Sequence, residues 1–203
     1  MSSTGDITAQ GRARAARPLP SASPQGVPRD EAATTTPGAD EIGYRGPTAC
    51  AAAGITYRQL DYWARTALVE PSIRPAHGSG TQRLYSFRDI LVLKIVKRLL
   101  DTGVGLQNIR VAVQHLRGRG VADLAGMTLM SDGASVYECT SYDEVVDLVQ
   151  GGQGVFGIAV GAVWREVEAS LGCLQGERPD TGEVLYRHNP DDELARRRRE
   201  RAG

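Results

Sequence analysis

Residues 54–90 constrain the fold of this chain most, because they place a short helix, a hairpin and a second helix in immediate succession. In the first helix, apolar side chains recur at the spacing of one buried stripe: Leu60, Trp63, Ala64 and Ala67. The opposite face carries aromatic and charged residues: Tyr57, Arg58, Asp61, Tyr62 and Arg65. The hairpin has the flexible tip Gly78-Ser79-Gly80 and returns through Arg83 and Tyr85. This order of elements predicts a winged helix-turn-helix, in which an exposed helix lies beside a basic hairpin.

Charge is strongly segregated along the chain, although the formal net charge is zero. Residues 44–120 contain twelve Arg and Lys against four Asp and Glu, a net charge of +8, whereas residues 121–172 have a net charge of −7. A basic block of this size is typical of proteins that contact phosphate. We therefore expect residues 44–120 to bind double-stranded DNA, with the first helix in the major groove and the hairpin on the flanking backbone. The acidic block is expected to face a partner or solvent.

Composition and pattern divide the chain into four parts. Residues 1–43 and 173–203 are poor in large apolar residues, so both are predicted to be disordered tails. Between them we expect a winged helix-turn-helix DNA-binding domain over residues 44–120 and an acidic dimerisation or sensing module over residues 121–172. The predicted fold class is mainly α with small β elements (α+β), a winged helix-turn-helix domain plus a small C-terminal α/β module.

The acidic part carries local signals of its own. An Asp132-Gly133 turn between two short apolar runs predicts a hairpin, and Ser141 followed by Glu144 has the form of a capping box that opens a helix. A final helix carries one apolar stripe, formed by Val160, Val163, Trp164, Val167 and Leu171. The stripe is too short to define a coiled coil alone, but residues 44–120 offer no comparable stripe beyond their own core. We therefore predict these residues as the dimer contact, and the alternative is pairing through residues 106–117.

Several classes of protein find no support in the sequence. No apolar run approaches the roughly 18 residues of a membrane span, and no apolar segment of a signal peptide follows the first basic residues, so we expect a cytoplasmic protein associated with the nucleoid. Cys50, Cys139 and Cys173 lie outside any metal-ligand spacing, which indicates reduced structural thiols, with redox sensing as the alternative. His77 and His115 have no paired ligand within helical reach, so neither a metal nor another cofactor is predicted. No catalytic motif is recognised, and we do not expect an enzyme.

The helix and hairpin share a set of residues in a fixed order: Leu60, Tyr62-Trp63, Leu68, Pro71 and Arg83-Leu84-Tyr85. With these residues the chain resembles the MerR family of bacterial transcription regulators over about residues 44–120. The chain is also similar to an actinobacterial subgroup of that family, which has a short C-terminal region without metal-sensing cysteines and is linked to control of growth and cell division. This second similarity rests on the segment Gly-Val-Phe-Gly-Ile-Ala-Val at residues 154–160 and on the capped helix before it.

The resemblance implies a homodimer on a near-palindromic operator, which distorts promoter DNA so that RNA polymerase engages both promoter elements. The implied DNA contacts are Thr56, Tyr57, Arg58, Tyr62 and Arg65 on the helix and Arg83 and Tyr85 on the hairpin. The chain departs from the family at three positions: Asp61 stands where Arg is common, Ala67 where Gly is common and Gln82 where Tyr is common. The long antiparallel dimerisation helix of the family is missing, and the sequence does not identify an effector ligand.

Two classes of function follow from these patterns. The first is a sequence-specific DNA-binding transcription regulator. The second is a protein-interaction adaptor, in which the acidic module docks on transcription or division machinery and the winged domain only recruits it. Salt-sensitive, sequence-selective DNA binding favours the first, because a hairpin that holds phosphate releases counterions when it binds.

Overall fold

A computed structural model describes residues 17–19, 42–76, 82–133, 135–150 and 156–186 of the chain. The helices are α1 (Gly46–Ala53), α2 (Tyr57–Arg65), α3 (Phe87–Asp101), α4 (Leu106–Arg117), α5 (Val121–Gly126), α6 (Tyr142–Gln150) and α7 (Val160–Gly172). The strands are β1 (Arg17–Pro18), β2 (Tyr44–Arg45), β3 (Leu84–Tyr85), β4 (Thr128–Ser131), β5 (Val136–Cys139), β6 (Phe156–Ala159), β7 (Gln175–Glu177) and β8 (Val184–Tyr186). Helices predominate over small sheets in these residues, so the predicted mainly α class with small β elements is confirmed.

Local sequence signals determine where the first two helices begin and end. α1 has Pro47 in its first turn and ends at Gly54, whose φ of 72° stops the helix in the left-handed conformation. α2 begins with a capping box. The Thr56 hydroxyl accepts a hydrogen bond from the Gln59 backbone N–H, and the Gln59 side chain accepts one from the Thr56 N–H. Interactions between residues close in sequence therefore determine where α1 begins and ends and where α2 begins.

α2 ends in a Schellman motif that contains an unusual residue. The Leu68 N–H donates to the carbonyl of Trp63 at 2.9 Å, and the Ala67 N–H donates to the carbonyl of Ala64 at 3.2 Å. Ala67 has a φ of 54° and is the one non-glycine residue with positive φ among the described residues. Because a left-handed residue cannot continue the helix, Ala67 lies beyond α2 and is exposed. The expectation that it extends the buried stripe of α2 is wrong.

Replacing Ala67 by Gly should stabilise the protein by roughly 0.5–1 kcal/mol. Glycine adopts the left-handed conformation without the strain of a Cβ atom, and its greater freedom in the unfolded chain offsets part of the gain. Urea unfolding measures the difference. The control is Ala51→Gly in the exposed interior of α1, which should lower the stability by about 0.5–1 kcal/mol. A loss of stability at position 67 would contradict the strain argument.

The hairpin that follows α2 is anchored by two short pairings. β3 pairs antiparallel with β2, with Tyr44 opposite Tyr85. Leu84 of β3 also exchanges backbone hydrogen bonds with Arg74, at 3.2 and 2.9 Å. The predicted hairpin is thus present at its base, and its predicted tip, Gly78-Ser79-Gly80, lies outside the described residues.

The C-terminal half builds a sheet with the strand order β1-β5-β4-β6, in which neighbouring strands are antiparallel. The hairpin predicted around Asp132-Gly133 is confirmed as β4 and β5, with a φ of 86° at Gly133. The helix predicted after Ser141 is confirmed as α6. Its Glu144 side chain accepts a hydrogen bond from the Thr140 N–H at 2.7 Å. Turn and capping signals therefore predicted this β-hairpin and the start of α6 correctly.

The apolar stripe of α7 is buried within the chain itself. The residues of the stripe with no exposed surface are Val160, Val163, Val167 and Leu171. Trp164 packs against Phe87 of α3, with ring centroids 4.5 Å apart. α7 packs on α1, α3 and α5, and Glu166 pairs with Arg98 of α3 at 2.6 Å. The prediction that this stripe forms the dimer contact is wrong, because the chain's own helices already cover it.

The width of the apolar surface of α3 explains this packing. The buried residues of α3 are Ile90, Leu91, Val92, Leu93, Ile95, Val96 and Leu99. A helix buried around most of its circumference needs neighbours on several sides, and α7 is one of them. A boundary after residue 120 cuts through one continuous core, so the predicted separation of residues 44–120 from residues 121–172 is wrong.

Part of each predicted tail is ordered. Strands β7 and β8 form a hairpin, and Gly43 and Glu177 exchange backbone hydrogen bonds of 2.8 Å beside β2. The prediction of disorder from residue 173 is therefore wrong for residues 173–186. In the N-terminal tail, β1 pairs with β5, and residues 1–16 and 20–41 lie outside the described residues.

Candidate nucleic-acid interface

The exposed face of α2 brings together most of the predicted contact residues. Tyr57 and Tyr62 are 63% and 48% exposed, which is high for large aromatic side chains. Arg58 and Arg65 are exposed on the same face. Thr56 is exposed just before the helix, but its hydroxyl accepts the capping hydrogen bond. A surface with two exposed tyrosines and two exposed arginines can donate hydrogen bonds to phosphate oxygens and to base edges.

A groove of about 610 Å³ separates α2 from the hairpin. Tyr57 and Asp61 line it on the side of the helix, and Gln82 and Arg83 line it on the side of the hairpin. Arg83 Nη1 donates to Asp61 Oδ1 at 2.9 Å, and Arg65 Nε lies 2.9 Å from Asp61 Oδ2. Asp61 therefore connects the hairpin to α2 and holds two of the arginines that were predicted to contact DNA.

The pKa values of Asp61 and Arg83 agree with the hydrogen bond between them. The hydrogen bond from Arg83 is the main cause that lowers the pKa of the Asp61 carboxyl, and burial opposes it. Asp61 in turn raises the pKa of the Arg83 guanidinium. Both groups are therefore charged at neutral pH, and the bridge between helix and hairpin is ionic.

Tyr85 is the one predicted contact residue that the structure removes from the surface. Its side chain is fully buried, because β3 packs against β2, α1 and α3. Burial raises the pKa of Tyr85 to about 12. The prediction of a DNA contact by Tyr85 is wrong, since the residue belongs to the core beneath the hairpin.

Many basic residues of 44–120 hold the ends of helices within the chain. Arg88 donates to the carbonyl of Leu116 at 2.8 Å, at the end of α4. Lys94 donates to the carbonyl of Ala52 at 3.1 Å, at the end of α1, and Arg110 bonds in the same way at the end of α2. The last carbonyls of a helix lack partners and carry partial negative charge, so these contacts stabilise the helix ends. Part of the net positive charge of residues 44–120 is therefore engaged by contacts within the fold.

Acidic residues of 121–172 neutralise further members of the basic block. The buried carboxylate of Glu138 lies 2.6 Å from His115 Nε2 and also pairs with Arg119. Glu166 pairs with Arg98 at 2.6 Å and with Lys94. The expectation that the acidic block faces a partner or solvent is wrong for Glu138, which is buried, whereas Glu166 stays exposed while it pairs with α3.

The C-terminal hairpin supports the base of the hairpin that follows α2, a contact that was not predicted from the sequence. Glu177 of β7 is buried and pairs with Arg45, and it lies 3.8 Å from Arg74. Arg74 also donates to the carbonyl of Pro179 at 2.9 Å. A signal existed, because residues 179–182 read Pro-Asp-Thr-Gly, a turn sequence between two short runs.

Arg58 differs from every other basic residue of this region. All twelve Arg and Lys residues of 44–120 lie in the described part, and Arg58 is the one that forms no ion pair or hydrogen bond with another described residue. It lies in the first turn of α2 and is exposed. Its guanidinium can meet a ligand without breaking an internal contact.

Other kinds of site find few candidates in the described residues. Across those ranges, no group of three His, Cys, Asp or Glu side chains could hold a metal ion. Cys50, Cys139 and Cys173 are free thiols, and burial raises the pKa of Cys139 to about 11, which disfavours its thiolate. No described helix is both long enough and apolar enough to cross a membrane.

Comparisons with known proteins point in the same direction as the geometry. Residues 44–116 match the family described as MerR HTH family regulatory protein. Proteins of Mycobacterium bovis and Mycobacterium tuberculosis, each named as an uncharacterized HTH-type transcriptional regulator, are 69% identical to this chain over 160 residues. The aligned region covers 79% of this chain and 70% of each relative. The similarity therefore extends well beyond the helix-turn-helix into the C-terminal half.

Proposed function

The chain belongs to the MerR family of helix-turn-helix transcription regulators, and we propose that it reads a specific operator through the exposed face of α2. In this proposal Arg58 contacts a base edge in the major groove, and Tyr57, Tyr62 and Arg65 contact the backbone beside it. Arg83 of the hairpin holds a flanking phosphate. Thr56 positions the first turn of α2 and does not need to touch DNA itself.

The observation that carries this proposal is the free guanidinium of Arg58. Its neighbours in the basic block are engaged with carboxylates or with helix ends, whereas Arg58 is exposed and has no partner among the described residues. A bidentate contact to guanine requires a guanidinium that is not already committed. The first turn of a recognition helix is also the part that approaches base edges.

We further propose that the protein binds a near-palindromic operator as a homodimer and distorts promoter DNA for RNA polymerase. The family relationship supports this part of the proposal. The two-fold contact would use a surface other than the α7 stripe, because that stripe is buried. Most apolar residues of α4, the alternative considered from the sequence, are buried as well: Ile109, Ala112, Val113 and Leu116. Leu106 at its start is exposed.

A role as a protein-interaction adaptor is less well supported. That role would use the acidic residues of 121–172 as a docking surface. Glu138 and Glu166 instead pair with basic side chains of the same chain, which reduces the acidic surface available to a partner.

DNA binding by the full chain tests the proposal directly. We expect fluorescence anisotropy to show tight binding to sites selected from a random library, about 1,000-fold or more above the affinity for random duplex. Because phosphate contacts release counterions, both affinities should fall steeply between 50 and 200 mM salt, by about 1,000-fold or more if about six phosphates are neutralised. Binding that is insensitive to salt, or equal on selected and random duplexes, would contradict the proposal and favour the adaptor role.

A further inference from the structure

Asp61 places a negative charge in the middle of a surface that must approach a polyanion. It lies on the exposed face of α2, one helical turn from Tyr57 and from Arg65, and it lines the groove between helix and hairpin. A carboxylate there repels phosphate. Its presence therefore needs an explanation other than direct backbone contact.

The contacts of Asp61 suggest that explanation. Each of its oxygens is engaged with a different arginine, Oδ1 with Arg83 and Oδ2 with Arg65, both at 2.9 Å. The Arg83 side chain is only 21% exposed, whereas that of Arg65 is 68% exposed. The hairpin arginine is thus largely withdrawn from solvent and tied to the helix.

We propose that Asp61 is a specificity-determining residue that takes the place of a DNA phosphate, holding Arg65 and Arg83 at one fixed separation and weakening the binding of random DNA. This inference rests on the proposed function, because it requires α2 and the hairpin to face DNA. Binding to random duplex depends almost wholly on phosphate contacts. A residue that restrains two arginines and adds a negative charge therefore acts most strongly on random duplex.

The fixed separation is what makes the effect selective. Two cations held by one carboxylate match phosphates only where the backbone has the corresponding spacing, and DNA shape depends on sequence. On a matching operator the arginines are already positioned, so little ordering is needed when they bind. If the ion pair between Asp61 and Arg83 is removed, the Arg83 side chain can contact phosphates of any duplex. The ratio of operator to random affinity then falls.

Asp61→Asn tests the inference because it removes the charge and keeps the shape of the side chain. Random-duplex affinity should rise severalfold, up to about eightfold at 0.1 M salt if one arginine gains one phosphate, and the slope of log K against log salt should steepen by about 0.9. The affinity for the selected operator should change less, so the ratio of operator to random affinity should fall. An equal rise on both duplexes, or no rise on random duplex, would overturn the inference.

Matched variants separate this role from general electrostatics and from folding. Asp101→Asn removes the same charge from an exposed ion pair with Lys97 on α3, and it should leave the affinity ratio unchanged. In an Arg83→Gln background, Asp61→Asn should produce a smaller gain on random duplex, because the arginine it releases is absent. A purely structural role would instead lower the melting temperature and reduce both affinities equally, and that outcome would also overturn the inference.

The proposed function and this inference can fail separately. If the wild-type chain shows no salt-dependent binding to duplex DNA, the proposed function fails. If the wild type binds and Asp61→Asn leaves the affinity ratio unchanged, only the inference fails. Should Asp61→Asn not fold, Arg83→Gln with Asp61 intact supplies the reverse test, because it should reduce random-duplex affinity by less than twofold if Arg83 is already withheld by Asp61. A larger reduction, with the salt slope lowered by about 0.9, would overturn the inference.

Discussion

Replacing Val163 by Asp should leave most of the protein unfolded under conditions in which the wild type is folded. The Val163 side chain has no exposed surface and lies in α7, which packs on α1, α3 and α5. A carboxylate buried there without a partner costs several kcal/mol, to which the lost packing of the valine adds. We expect a loss of about 4 kcal/mol or more, a large part of the roughly 5–15 kcal/mol that typically stabilises a domain.

Thermal unfolding followed by circular dichroism measures this effect. The matched control is Val149→Asp on α6, which makes the same chemical change at a side chain that is 52% exposed and should shift the melting temperature little. If Val163→Asp kept the wild-type melting temperature and only turned a dimer into a monomer, the α7 stripe would be a subunit contact after all.

The packing of α7 on α3 also predicts that residues 44–120 alone show no cooperative unfolding, because α3 would lose the helix that covers one of its sides.

The sequence predicted best where the signal and its structural partner lie close together in the chain. The capping box of Thr56 and Gln59 joins residues three positions apart, so the start of α2 can be predicted from the local sequence. The Asp132-Gly133 turn likewise joins the two strands on either side of it. The exposed face of α2 followed from the helical period, and the structure places Tyr57 and Tyr62 on that face as expected.

Prediction failed where burial depends on which element lies opposite. The periodic stripe of α7 indicates correctly that one face is covered, but periodicity does not distinguish another helix of the same chain from a second subunit. Val163 and Leu171 were therefore assigned to a dimer contact. The wide apolar surface of α3 can be seen in the sequence, but only the structure shows that α1 and α7 are the elements that cover it.

The ion pairs of the site were beyond sequence analysis for a related reason. Arg83 and Asp61 are 22 positions apart, and nothing in their local patterns indicates that they meet. Net charge also overstated the surface available to DNA, since Arg88 and Lys94 serve helix ends. The C-terminal hairpin has a turn signal in residues 179–182, but its strands have three residues each, too few for a periodic pattern. No local pattern indicates that Glu177 meets Arg45 and Arg74 at the base of the hairpin after α2.

Replacing Arg58 by Ala should weaken binding to the selected operator by about 1–3 kcal/mol, which is roughly a 5- to 150-fold loss of affinity. Because the Arg58 guanidinium forms no contact with another described residue, the substitution breaks no ion pair or hydrogen bond within the described part of the fold. The loss should therefore report on DNA contact, with the melting temperature unchanged. Selection from a random library should show relaxed preference at one base pair per half-site, since a guanidinium in the first turn of α2 reads a base edge.

Arg65→Ala is the matched control, because Arg65 lies on the same face of α2 but is engaged with Asp61. We expect it to weaken operator binding without relaxing the preference at any base pair, and to reduce the salt slope on the operator by about 1, as a phosphate contact does. Fluorescence anisotropy on both duplexes, across a salt series, separates the two patterns. If Arg58→Ala flattened the salt slope in the same way and left the base preference unchanged, Arg58 would hold phosphate, and sequence recognition would have to come from other side chains of α2 or from the shape of the DNA.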